Sequence, residues 1–272
     1  MDQPNNENLN IVKSVEEIRR LYKEDKSQES FRLLLLGESG SGKTFFLRTC
    51  RKPVLLDSFD PGGSKSLRDL ISRGEIIADT RWEKEDPKKP SAYEAWKKEM
   101  FSRTRAGLWD HLGTYVIDSA TMWSEAIMNW VQNKSGRAGE APKFTKDYVP
   151  QKVEIRNWIR EIMKDIPCDF ILIGHLQPVE DQVSGQVHYR FMTTGKGMVV
   201  IPLLFDEIWV ADPRGTSSGV EYRLLTQSTG IHVARSRLSK GGLLGNYEKP
   251  DMKAILKKVN MNHEDKPLIK GA

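Results

Sequence analysis

Eight consecutive residues, Gly37-Glu38-Ser39-Gly40-Ser41-Gly42-Lys43-Thr44, constrain this chain more than any other stretch. An apolar run, Leu33 to Leu36, leads into them, and a helix is predicted to follow over Phe45 to Thr49. Strand, glycine-rich turn and helix form the context in which this spacing makes a phosphate cradle. The glycines let successive backbone N–H groups curl round phosphate oxygens, and the start of the helix adds its unpaired donors. Lys43 can reach the terminal phosphates, and the Thr44 hydroxyl is suited to Mg²⁺. The competing reading is a flexible Gly/Ser turn.

The rest of the chain suits a large α/β domain. At 272 residues, with 38% hydrophobic and 29% charged side chains, it can bury a full core. Residues 1–30 read as an N-terminal extension with a short helix, 31–259 as the main domain and 260–272 as a polar tail. No apolar segment approaches the roughly 20 residues that cross a membrane. The acidic, Asn-rich start lacks the pattern of a signal peptide. No membrane contact and a cytoplasmic location are therefore expected. Cys50 and Cys168 sit beside apolar runs and read as buried thiols in a reducing compartment. A net charge of +5 is compatible with polyanionic partners without requiring them.

Short apolar strands alternate with helical periodicity along the chain. Residues 1–12 read as a mobile lead-in, and a helix is expected over Ser14 to Glu24. Strands are expected at Phe31 to Leu36, Pro53 to Asp57, Ile76 to Asp79, Tyr115 to Asp118, Asp169 to Gly174 and Glu207 to Val210. Helices are expected at Ala92 to Leu112, Met122 to Gln132 and Val153 to Lys164. Tyr222 to Leu225 and Ile231 to Ala234 suggest a terminal edge, antiparallel or mixed. Residues 133–148 could be a mobile or binding loop. This alternation predicts a mostly parallel central sheet flanked by helices. The helical tryptophans, Trp96, Trp109, Trp123, Trp130 and Trp158, are assigned to core or subunit packing.

Asp118 ends an apolar strand downstream of the cradle, as a carboxylate must if it is to hold Mg²⁺ near Thr44. Ser119 follows it, where many ATPases place the glutamate that polarises the attacking water. A base must then come from elsewhere, and Asp57 and Asp60, after the second strand, are the nearest sources. Neighbouring parallel strands deliver their C-terminal ends to one crevice. Asp60 lies in the turn and is freer to face a γ-phosphate, while Asp57 would cap or orient; turn formation is the alternative for both. His175, with Gln177 just beyond, ends another strand and could sense the γ-phosphate, or merely stabilise a loop.

These residues resemble the RecA-like branch of P-loop ATPases, and more narrowly the small phage-encoded RecA-fold proteins of single-strand annealing and recombination. The likeness spans roughly residues 31–240, strongest at Gly37–Thr44 and weaker at Tyr115–Ser119 and Phe170–His175. It implies a RecA-like P-loop NTPase core that uses ATP and Mg²⁺. In the family a catalytic glutamate follows the second strand; Asp60 stands at the matching position, one methylene shorter. The strand-end sensor maps onto His175 or Gln177. The family's DNA-binding loop maps onto Val179 to Val199, where Thr193, Thr194 and Lys196 offer donors for phosphates. Arg235 and Arg237 resemble the finger pair that relatives insert into a neighbour's nucleotide. Residues two apart in an extended segment point alike, so both could address one phosphate tail; a solvated basic edge is the alternative.

The resemblance thus implies a homo-oligomer, ring or filament, working on DNA, single-stranded in preference, in the host cytoplasm if phage-encoded. A single-strand-binding or replication protein is a candidate partner. Two other readings stand: a nucleotide-gated loader or assembly protein with little turnover, and a P-loop small-molecule kinase.

Overall fold

The computed structural model describes residues 6–25, 29–182, 184–193, 197–239 and 242–269. Its centre is β1 (Arg32–Gly37), every residue of which is buried. Four successive leucines with no polar alternation suit a strand covered on both faces, and β1 pairs in parallel with β5 (Asp169–Glu180) and β7 (Glu207–Ala211). Outward from β5 lie β4 (Thr114–Asp118), β2 (Val54–Ser58) and β3 (Ile76–Asp79), all parallel. The strand order β3-β2-β4-β5-β1-β7 puts β5 between the strand that feeds the cradle and the strand that ends in Asp118. It is an α/β fold: a largely parallel central sheet with helices on both faces.

One face carries α4 (Ala92–Arg105), α5 (Ala120–Lys134) and α6 (Val149–Asp165). Trp96, Trp123 and Trp158 are buried there, with Trp96 5.4 Å from Trp123 and 4.8 Å from Trp158 between ring centres. Trp109 is buried too, and Trp130 packs at the margin of the same core. The tryptophans serve packing, as their helical placement predicts. The other face is smaller and buries Phe46, Leu47, Leu67, Leu70, Met252 and Leu256.

Several segments differ from the sequence expectation. The first helix, α1 (Asn6–Glu24), starts well before Ser14, because nothing from Asn6 onward breaks a helix. Its described side chains, Ile11, Val15, Ile18 and Tyr22 among them, stay exposed. Helix α4 stops at Arg105, and a separate turn, Leu108–His111, follows. Residues 133–148 form a closed loop: buried Asp147 accepts from the Arg137 guanidinium and from the Lys143 amide at 2.6 Å. The edge strand expected at Ile231 to Ala234 is β11 (Arg235–Ser236). Ile231 and His232 are engaged elsewhere, accepting from the Tyr189 amide and bridging to Tyr189. Residues 264–266 strap across the start of β2: the Lys52 amide donates to Asp265 at 2.6 Å, and the Lys266 amide to the Lys52 carbonyl at 2.8 Å.

Beyond His175, β5 leaves the parallel sheet and pairs antiparallel with β6 (Val187–Phe191), from Leu176↔Phe191 to Glu180↔Val187. The segment expected to be a DNA loop is therefore, over its first part, a hairpin. Thr193 follows that hairpin, while Thr194 and Lys196 lie outside the described residues. Among the described residues no helix is long and apolar enough to cross a membrane.

Candidate nucleotide site

All the polar groups of the site arrive at the C-terminal ends of parallel strands. Gly37 closes β1 opposite His175 on one side and Ala211 on the other. A side chain at Gly37 would meet the Ser41 hydroxyl at 2.5 Å and the Ala211 carbonyl at 3.1 Å, so glycine lets the loop fold back without displacing either. Gly42, at φ 87°, precedes α2 (Lys43–Phe46) in the left-handed region that glycine adopts at little cost. Ser41 Oγ is buried with no hydrogen-bond partner among the described residues, a donor left over inside the cradle.

Lys43 is buried, and its ammonium donates to the Gly37 and Glu38 carbonyls at 2.9 and 2.6 Å. Burial lowers its pKa, opposed by the charges of Asp118, Asp60 and Glu38. Thr44 Oγ1 donates to Asp118 Oδ2 at 2.6 Å. Burial pushes the Asp118 carboxyl up to about 6; the Thr44 hydrogen bond opposes this, and the nearby Asp60 charge reinforces it. A hydroxyl and a buried carboxylate face to face beside a lysine form an oxygen donor set suited to Mg²⁺. The unpartnered Ser41 hydroxyl and the tight cradle suit phosphate oxygens, so these residues fit the Mg²⁺–triphosphate pair.

Asp60 sits on the loop after β2. That loop is tied to β4, since the Phe59 and Asp60 amides both donate to the Asp118 carbonyl, at 2.6 and 3.3 Å. Ser119 Oγ donates to Asp60 Oδ1 at 2.8 Å, and His175 Nε2 lies 3.6 Å from Asp60 Oδ2. Thus Ser119, directly after Asp118, orients the Asp60 carboxylate. Glu83 holds the same loop from outside, accepting from Ser58 Oγ at 2.7 Å and the Gly62 amide at 3.0 Å. Asp60, Asp118, His175, Lys43 and Thr44 all line one cavity of about 660 Å³, within the range of small-ligand sites.

Asp57 is not part of that cavity. It is fully buried beneath the sheet and accepts from Trp82 Nε1, Trp96 Nε1, Tyr115 Oη and the Arg103 guanidinium. Its oxygens are taken up in tying Trp82, Trp96, Arg103 and Tyr115 to β2, so it supplies no base to the cavity, one of the roles open to it from sequence.

Arg235 and Arg237 are not brought to this cavity. Strand β11 pairs with the beginning of β7, Arg235 opposite Ile208, whereas the cradle faces the end of β7 at Ala211. Nor do the two guanidiniums converge as two-residue alternation predicts. Arg235 donates to the carbonyls of Pro202 and Phe205, satisfying the end of a turn, while the exposed Arg237 pairs with Asp206 at 2.7 Å. Sequence reasoning missed Glu83 and Tyr222, which lines the cavity beside Gly42. Glu83 lay in a polar loop with no motif, and Tyr222 reaches the cradle only through the pairing of β10 (Leu224–Leu225) with β7.

No curated protein matches the chain. Among solved structures it is similar to a KaiC-like protein from the hyperthermophilic archaeon Pyrococcus horikoshii, at 13% identity and a TM-score of 0.40, over 76% of this chain and 82% of that one. The family model described as AAA domain matches residues 29–238, from three residues before β1 to two past β11. With the cradle, Thr44 and Asp118 in place, the chain belongs to this AAA domain family, as a P-loop, AAA-type ATPase domain.

Proposed function

We propose that this chain hydrolyses ATP on Gly37–Thr44, with Asp60 as the base, and couples hydrolysis to DNA within an oligomer. The observation that carries the reading is convergence: Thr44, Asp118, Asp60 and His175 come from four parallel strands to one cavity around Lys43. Thr44 and Asp118 would hold Mg²⁺, which when bound neutralises charge on the phosphate oxygens. Lys43 exchanges its two backbone carbonyl partners for phosphate. Asp60, steadied on one oxygen by Ser119, accepts the proton of the attacking water on the side facing the cavity. His175 lies against Asp60, and its carbonyl accepts from the Met192 amide at 2.8 Å, at the exit of the hairpin. That bond supports a path from nucleotide state to Thr193 and the residues after it, the proposed contact with single-stranded DNA in recombination or replication.

Arg235 and Arg237 lie at the far end of the sheet from their own cradle, so a finger role requires a second copy. Arg237, exposed on an ion pair, is the freer of the two. The test is phosphate release with and without single-stranded DNA. Lys43→Ala is expected to reduce turnover to background, and Arg237→Ala to retain ATP binding while losing turnover. A monomeric Arg237→Ala protein with full turnover would remove the trans contribution. Turnover indifferent to DNA would remove the coupling.

A further inference from the structure

The cavity around the cradle has two chemically different sides. Asp60, Asp118 and His175 line it and follow β2, β4 and β5, on one side of β1, while Tyr222, Arg223, Leu224 and Pro250 line it from beyond β7, on the other, with Gly42 to Thr44 after β1 itself between them. The carboxylates define where a terminal phosphate must sit for its bond to be broken. A triphosphate laid from there across Lys43 leaves its nucleoside on the side that holds Tyr222.

Tyr222 is built to receive it. Its side chain is half exposed, at 48%, yet ring atom Cδ1 lies 3.0 Å from where a Gly42 Cβ would stand. The ring thus rests on the cradle itself, and Gly42 serves both the turn and this close approach. The backbone beneath is fixed. Leu224 pairs with Ala211, the Asp212 amide donates to the Arg223 carbonyl at 3.0 Å, and the Arg223 guanidinium is held by Asp212 at 2.6 Å over the Tyr247 ring at 3.9 Å. An aromatic face held on a rigid strand end, open to the cavity, suits the π-face of a base. We propose that Tyr222 is the stacking platform for the base of the bound nucleoside triphosphate, a site separate from the phosphate cradle. This assignment rests on the reading of Gly37–Thr44 as a nucleotide site.

The experiment compares Mg-ATP with Mg-tripolyphosphate, which carries the phosphates and no base, by titration calorimetry on the full chain. Wild type is expected to bind ATP more tightly than tripolyphosphate. Tyr222→Ala is expected to weaken ATP about tenfold, the scale of one lost base–aromatic stack, and to leave tripolyphosphate within about twofold. Tyr222→Phe and Tyr222→Trp keep the ring and are expected to keep the affinity, which separates stacking from damage to the fold. Equal weakening of both ligands in Tyr222→Ala would make the ring a prop for the cradle and overturn the proposal, as would unchanged ATP binding. Wild type that binds ATP no better than tripolyphosphate removes the base site alone. Wild type that binds neither removes the nucleotide reading, and this one with it.

Discussion

Asp57 and Asp60 stand three residues apart at the end of the same strand, and they do opposite work. Asp57 has its oxygens occupied by two indoles, a phenol and a guanidinium, all buried. Asp60 has one oxygen tied by Ser119 and the other turned toward His175 at the cavity wall. A carboxylate with every lone pair engaged and no path to solvent cannot exchange partners with a substrate, whereas one held from a single side can. From sequence both read alike, as acids following an apolar strand. What separates them is that Asp57 projects from β2 itself into the buried core, whereas Asp60 lies on the loop beyond Ser58, and how many donors the neighbouring elements bring.

The largest effect that could break this contrast is expected at the saturated carboxylate. Asp57→Ala strips Arg103 of its fully buried carboxylate partner, leaving Asp79 at 2.6 Å and Glu99 at 3.4 Å, and strands two indole donors. Removing one partner of a buried ion pair costs about 3–5 kcal/mol. Urea unfolding is expected to show a loss of that size, with ATP turnover per folded molecule close to wild type. A loss below about 1 kcal/mol, the scale of ordinary surface substitutions and a little more, would mean that the hub is not what fixes α4 against the sheet.

Asp60→Asn inverts the pattern. The amide still accepts from Ser119 and keeps the loop, but it cannot take a proton from water. Turnover is expected to fall about 10²–10⁴-fold, the usual weight of a positioned base. ATP affinity and unfolding midpoint should stay near wild type. Asp60→Glu, restoring the missing methylene, is expected to retain turnover. Undiminished hydrolysis by Asp60→Asn would place the base on another residue.

The division also marks what could be read from sequence. Gly37–Thr44, Asp118, Asp60 and His175 were legible because each ends an apolar strand, and parallel strands deliver their ends to one crevice. The parallel sheet itself was legible from the unbroken Leu33–Leu36 and Phe170–Ile173 runs. The partners of these residues were not. Trp96, Arg103 and Tyr115 come to Asp57 from α4 and β4, and no spacing in the sequence records that a helix crosses under β2. The arginine pair shows the converse: alternation fixes which side of a strand Arg235 and Arg237 leave from, but not that the Pro202 and Phe205 carbonyls wait beside only the first of them. The hairpin after His175 was hidden for a further reason. Its second strand does alternate, Val187-His188-Tyr189-Arg190-Phe191, but Pro178, Glu180 and Asp181 interrupt the first, so no pair of alternating runs announces a hairpin.

Glu83 joins the two regions and gives the smallest and most specific effect. A single turn, Arg81–Glu83, sends the Trp82 indole down to Asp57 and the Glu83 carboxylate up to the Asp60 loop. Glu83→Gln preserves size and leaves Trp82 in place. The amide can accept from the Gly62 amide through Oε1 and must then donate to Ser58 Oγ through Nε2, so two bonds to a charged carboxylate become two weaker neutral ones and the tie on the loop slackens. A misplacement near 1 Å can cost about 10²-fold in rate, and one slackened tie should cost less, roughly tenfold in kcat. As a positioning residue that touches no substrate, Glu83 should leave KM for ATP unchanged, and Trp82, still bonded to Asp57, should keep the native fluorescence of the hub. A fall in stability with kcat intact would assign Glu83 to the saturated region, and the boundary between the two regions would then run through the Asp60 loop itself, not beneath it.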